Sequence, residues 1–262
     1  MTIRNLDRYK QFQRRLYFQD GTPSARERDD MFRQGKVVLL VTCSVHGTEI
    51  GATQMALELV HRLATDDSPA TRKILDNVIV LLVPSANPDG QIAVTDWFNQ
   101  NQGTPFEASP LPSLDHPYVG HDSNRDMYML TQKESQYLAK LAWQDWFPAV
   151  WLDQHQMGNT GPRMFVMPAT DPINPNVHPV IYRWNGILGQ SQAAALEAIV
   201  HALETQRLSL TQIEDSLTRH QRAKERFLAS SVAPRPLPPK ALRQVLGRED
   251  HRRIADEMAR FA

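Results

Sequence analysis

The sequence predicts an α/β fold: a mixed, mostly parallel sheet flanked by helices and followed by a helical tail. Three observations carry that prediction. Val37 to Val41 and Val78 to Val83 are unbroken apolar runs, the pattern of strands buried on both faces. Between them Ala52, Met55, Ala56, Leu59, Val60 and Leu63 fall on one face of an amphipathic helix. Alternation of such strands and helices marks an α/β layer architecture.

Composition bounds what the fold can serve. With 262 residues and 41% hydrophobic content the chain can bury a core, as one domain or one domain with an appendage. Lys and Arg number 29 and so do Asp and Glu, so no global field draws nucleic acid or an anionic membrane. A small-molecule or peptide substrate fits better. One cysteine excludes an internal disulfide, and Cys43 reads as a small packing residue. No apolar run reaches the length of a membrane span, and Met1 to Arg8 lacks the apolar region of a secretory signal. A soluble, cytoplasmic product is expected, of unspecified oligomeric state.

Taken in order, residues 1–35 are charged, with Tyr9, Phe12, Leu16 and Tyr17 loosely spaced as a helix face, and read as a solvated helical lead-in. The first strand, Val37 to Val41, runs into Thr42-Cys43-Ser44-Val45-His46-Gly47-Thr48-Glu49 and then the amphipathic helix. His46 and Glu49 therefore stand where a strand ends and a helix begins, the crevice in which open α/β sheets bind ligands. An imidazole and a carboxylate three residues apart are two of zinc's ligand types, but a short pair matches often by chance and needs a third partner.

The second strand, Val78 to Val83, ends in Asn87-Pro88-Asp89-Gly90, a turn signal. Gln91 to Tyr118 shows no clear period and reads as a long loop. Gly120-His121-Asp122-Ser123-Asn124-Arg125-Asp126 follows, then a helical stretch through Ala142. Asn124 and Arg125 have the donors to hold a terminal carboxylate; the alternative is that Arg125 pairs with Asp122 or Asp126 to fix the loop. A third strand, Ala149 to Leu152, runs into Asp153-Gln154-His155-Gln156-Met157-Gly158, and His155 supplies the missing imidazole. Two ligands from one strand end and a third from another leave zinc a position open for water; a nearby carboxylate such as Asp153 could orient an imidazole, or its side chain could equally point elsewhere. A fourth strand is expected near Met164 to Met167.

In order and spacing, His46-Gly47-Thr48-Glu49, Asn87-Pro88-Asp89-Gly90, Asn124-Arg125 and His155 resemble the zinc carboxypeptidases related to carboxypeptidase A. The wording around Asn124 and His155 is similar to a large bacterial branch of that family. The resemblance runs from about Lys36 to Ile187. It implies a carboxypeptidase-like core over residues 36–190, Zn2+ as cofactor, His46, Glu49 and His155 as its ligands, and Asn124 and Arg125 as the receivers of a substrate's C-terminal carboxylate. The implied reaction is hydrolysis of a C-terminal peptide bond by zinc-activated water. A related zinc amidohydrolase acting on small acyl-amino acids, or a non-catalytic zinc- or peptide-binding remnant, are the alternatives.

The resemblance also implies a general-base glutamate on a late strand, and here the sequence departs from the family. Val180 to Leu188 suggests one helix and Ala193 to Leu203 another. Glu197, Glu204, Glu214 and Glu225 all fall in helical patterns, which suit solvated faces. Residues 191–262 therefore read as a helical tail of uncertain origin, and the core as truncated before its base. Leu203 to Glu214 and Arg248 to Glu257 weakly resemble the end of a bacterial β-N-acetylhexosaminidase domain, without its catalytic residues. A break is expected at Ala233 to Pro239.

Overall fold

The computed structural model describes residues 5–112, 119–157, 166–167, 174–212, 214–215 and 218. The chain divides into two compact units, Met1–Phe165 and Val166–Ala262. In the first unit the elements run α1 (Leu6–Leu16), α2 (Ala25–Gln34), β1 (Val37–Cys43), α3 (Ile50–Thr65), α4 (Pro69–Asn77), β2 (Val78–Val83), α5 (Pro88–Asn101), a short 3-10 turn (Ser123–Arg125), α6 (Lys133–Lys140) and β3 (Val150–Gln154).

The three strands form one sheet in the order β2-β1-β3, with both pairings parallel. Val41 lies opposite Leu82 on one side and Leu152 on the other, so β1 is the central strand. Parallel strands point their carboxyl ends the same way, and these ends gather the turns after β1, β2 and β3 at one edge. The apolar run of β1 now has its physical reason. Val38, Leu40 and Cys43 are wholly buried, because residues of alternating direction enter two different clusters. Val41 and Cys43 pack with Ala52 and Ala56 of α3. Val38 packs on the opposite face with Ile79 and Trp146, joined by Leu6 and Tyr9 of α1. A third cluster, Val45, Ala86 and Leu138, sits under the turns at the carboxyl edge.

Several elements depart from the sequence reading. Residues 1–35, expected as a solvated helical lead-in, hold two helices, α1 partly buried and α2 largely exposed; Leu6 and Tyr9 of α1 pack on the sheet, and Ser24 begins α2 with a reciprocal capping box to Glu27. α4 was hidden behind the Asp66-Asp67-Ser68-Pro69 break, which is an N-cap: Ser68 Oγ accepts from Thr71 N. The expected loop from Gln91 begins instead as α5. Asn87 caps that helix through Gly90 N, and Pro88 occupies its first turn. β1 and β3 extend to Cys43 and Gln154, past the expected ends at Val41 and Leu152, because the two strands hydrogen-bond to each other through those residues.

On α3 the predicted apolar face is only half used: Ala52 and Ala56 are buried while Met55 and Val60 are exposed. Among the described residues the sheet has three strands, too narrow a surface to cover a sixteen-residue helix. α6 continues into a wider turn of π type, Leu141–Trp146, which Phe147 ends in the left-handed conformation, φ 46°. That widening turns Trp146 inward onto Val38 and Ile79.

In the second unit, Val180 to Leu203 is one uninterrupted helix, α7 (Pro179–Glu204), where two were expected; Gly186 and Gly189 interrupt the apolar pattern without ending the helix. His178 caps it and Pro179 opens it. Glu197 and Glu204 are exposed on α7. Of the expected strand near Met164 to Met167, Met164 and Phe165 lie outside the described residues and Val166 and Met167 are not in a strand; Glu225, the break at Ala233 to Pro239 and the segment Arg248 to Glu257 fall wholly outside the described residues. Among the described residues no helix is long and apolar enough to cross a membrane.

Candidate metal centre

The turn after β1 is built by backbone geometry before any ligand chemistry enters. Ser44 takes the left-handed conformation, φ 51°, which reverses the chain out of the strand. Its buried hydroxyl donates to the Glu49 carbonyl (3.0 Å) and meets Thr53 Oγ1 (2.6 Å), while Glu49 N closes on the His46 carbonyl (3.0 Å). His46 and Glu49 are thereby held three residues apart on one tight loop, with Glu49 as the residue preceding α3. The β2 turn docks against this loop: Ala86 N donates to the Cys43 carbonyl (2.8 Å) and Asn87 N to the Ser44 carbonyl (3.1 Å). Gly47 lies so close to Gly90 that an added Cβ would stand 2.4 Å from the Gly90 carbonyl carbon. The Asn87-Pro88-Asp89-Gly90 segment thus supports the His46 loop from beneath.

β3 delivers His155 to the same point. Gln156, one residue on, accepts the Gly51 N–H at the start of α3 (2.8 Å) and so ties the end of β3 to the helix that follows Glu49. The two imidazole centroids are 5.0 Å apart. Glu49 lies between them, its Oε1 2.9 Å from His46 Nδ1 and its Oε2 2.8 Å from His155 Nδ1. One donor atom from each of His46, Glu49 and His155 lies within 4.8 Å of the others.

Each imidazole turns its far nitrogen to an aspartate. His46 Nε2 meets Asp122 Oδ1 at 3.1 Å, and His155 Nε2 meets Asp153 Oδ2 at 2.8 Å. Carboxylates only accept, so each aspartate holds a ring proton on Nε2, and Nδ1, facing Glu49, is the nitrogen that a cation would engage in place of its proton. Asp153 is itself held through its other oxygen by Thr42 Oγ1 (2.5 Å), which also accepts from Trp151 Nε1 (3.0 Å). Partial burial opposes ionisation of Asp122, but hydrogen bonds from the Asn124 N–H and the His46 ring outweigh it and hold the carboxyl below the usual range. The hydrogen bond to Asp153, against partial burial and with the charges of Asp153 and Glu49, pushes the His155 imidazole up to about 9. Two imidazoles and a carboxylate at this separation suit zinc, which would take the place of that proton.

Asn124 and Arg125 stand on the 3-10 turn that Asp122 begins, its Oδ1 accepting Asn124 N at 2.8 Å. Arg125 is exposed and acts on Asp122 through its charge. Asp126 is held by Thr131, Gln132 and His121, and so is not the loop-fixing partner of Arg125 considered from the sequence. Asn124 and Asp153 border a small, solvent-open pocket backed by Met127, Leu138 and Trp151.

Three contributors were not assigned these roles from the sequence. Asp122 was weighed only as an arginine partner, although a carboxylate two residues before Asn124 was visible. Thr42 and Gln156 left no signal, since their roles are pairings across more than a hundred residues.

The family model of zinc carboxypeptidases matches residues 23–166, more than half of the 262-residue chain. No curated protein and no solved structure matches the chain.

Proposed function

The chain belongs to the zinc carboxypeptidase family, and from that premise we propose that it binds zinc through His46, Glu49 and His155 and acts on the C-terminal peptide bond of a peptide. The observation that carries the reading is the convergence of the three donor atoms within 4.8 Å, with each imidazole backed by its own aspartate. Bound there, zinc would supply Lewis acidity, polarising a carbonyl and acidifying a water.

This chain's residues do the rest. Asp122 and Asp153 hold the ring protons on Nε2 and so leave the two inward Nδ1 atoms as the positions a cation would take, displacing the His155 Nδ1 proton. Arg125 offers a planar fork to the substrate's terminal carboxylate from a solvent-facing position, and Asn124 adds a neutral donor beside it. Removing a backing aspartate should weaken the site without abolishing it. Asp153→Ala is expected to lower zinc affinity roughly 10–100-fold, read by competition with a zinc chelator.

For Arg125 the expected result is selective. Arg125→Lys keeps the charge and loses the fork, so a peptide with a free carboxylate should bind about tenfold more weakly, a difference of roughly one charge-assisted hydrogen bond. Its C-terminal amide should be little affected. Equal losses for both ligands would return Arg125 to a structural role.

A second reading, zinc and peptide binding with slow turnover, is favoured by one observation. The two aspartates nearest the triad, Asp122 and Asp153, are both engaged by imidazoles and are poorly placed to take a proton from water. General-base catalysis contributes about 10²–10⁴-fold, so turnover without a base should be slow. The deciding assay is release of the C-terminal amino acid from a short peptide, with and without a chelator. Chelator-sensitive but feeble release is expected; robust release would mean that another group serves as base.

A further inference from the structure

We propose that Asp126 is the positioning residue of this site, an anchor that sets both the aspartate behind His46 and the carboxylate-receiving pair. The inference rests on the reading of His46 as a zinc ligand and of Asn124 and Arg125 as receivers of a carboxylate.

Asp126 is wholly buried, yet it is a carboxylate surrounded by donors. Its Oδ1 accepts from Thr131 N (3.2 Å), from Thr131 Oγ1 and from His121 Nε2 (3.1 Å), and its Oδ2 accepts from Gln132 N (2.8 Å). Burial opposes its ionisation, but the Thr131 and Gln132 hydrogen bonds outweigh that and hold the carboxyl far below the usual range. Its backbone is equally committed. The Asp126 carbonyl accepts from Met129 N (2.9 Å) and Leu130 N (2.7 Å), and so keeps Leu130 in a left-handed conformation, φ 54°.

The network then closes on the other side of the turn. Gln132 Nε2 donates to the His121 carbonyl (2.7 Å), and Ser123 Oγ donates to Gln132 Oε1 (3.1 Å). Residues 121 and 132 are thereby pinned together around one carboxylate, and Asp122, Asn124 and Arg125 stand on the outer rim of the loop so formed. Asp126 N also donates to the Ser123 carbonyl (3.1 Å), which closes the 3-10 turn itself. A buried group that touches neither ligand nor substrate in this way governs the direction of three side chains that do.

Asn at position 126 keeps the shape but offers one acceptor oxygen where two are used, and turns an amide donor toward other donors. The experiment uses the full chain loaded with zinc, with N-acetyl-glycyl-phenylalanine and its C-terminal amide as calorimetric probes and a chelator competition for zinc. Asp126→Asn is expected to weaken binding of the free acid at least tenfold, to change amide binding less than twofold, and to lower zinc affinity about tenfold, the effect of a lost supporting partner. Thr131→Val, which removes a single donor to Asp126, should give the same pattern in smaller size and serves if the first variant does not fold. Equal losses for acid and amide, or an unchanged acid-to-amide ratio with unchanged zinc affinity, would overturn the proposal. If the wild-type chain shows no preference for the acid, the reading of Arg125 has failed instead, and zinc affinity alone then decides the role of Asp126 through Asp122 and His46.

Discussion

Substituting His155 by Ala should reduce retained zinc to a small fraction of one per chain. Removing a residue that merely supports a ligand costs roughly 10–100-fold in affinity, and removing one of three ligands should cost more than that upper figure. Metal analysis after dialysis against a weak chelator reads the result directly. A second consequence concerns the metal-free protein. The raised His155 pKa means that its imidazolium contributes stability in full below the unfolded value of about 6.5. That contribution is lost as pH rises through about 9. Metal-free wild type should therefore lose stability across that window in urea unfolding, whereas metal-free His155→Ala should lack this decline. If the variant retains stoichiometric zinc, the triad is not the metal site.

Gly47→Ala should damage the fold and the site together. The added Cβ would stand 2.4 Å from the Gly90 carbonyl carbon, 2.6 Å from its oxygen and 2.8 Å from Gln91 N. All three are backbone atoms, and those of Gly90 are fixed by the Asn87 cap, so no flexible side chain can yield. Either the β2 turn or the His46 loop must shift. Overpacking against atoms that can move costs about 1–3 kcal/mol, and rigid backbone places this case at or above the upper end. Urea unfolding should show that loss, accompanied by weaker zinc retention, because His46 is the neighbouring residue. Unchanged stability would mean that the two turns are not in contact in solution.

What the sequence determined by itself follows from local physics. The apolar runs of β1 and β2 read as strands and the period after Gly47 as a helix, because such repeats are written residue by residue; β1 is buried as expected, whereas β2 buries only Ile79 and is otherwise partly exposed. The triad was equally legible: His46 and Glu49 lie on one turn, and His155 repeats the same placement at the end of another apolar strand. Tertiary structure decided the matters that depend on partners distant in sequence. That Asp122 backs His46, that Thr42 steadies Asp153 and that Gln156 ties β3 to α3 are pairings across 76, 111 and 105 positions, and no local pattern encodes them. The same holds for α5, whose cap was legible as a turn but whose continuation as helix the weak apolar period did not reveal. It holds too for Asp126, one charged residue among several in its loop, which acquires its meaning only when His121, Thr131 and Gln132 close around it. Sequence sets which groups are present and which face each one takes locally; burial and long-range hydrogen bonding select which of them act together.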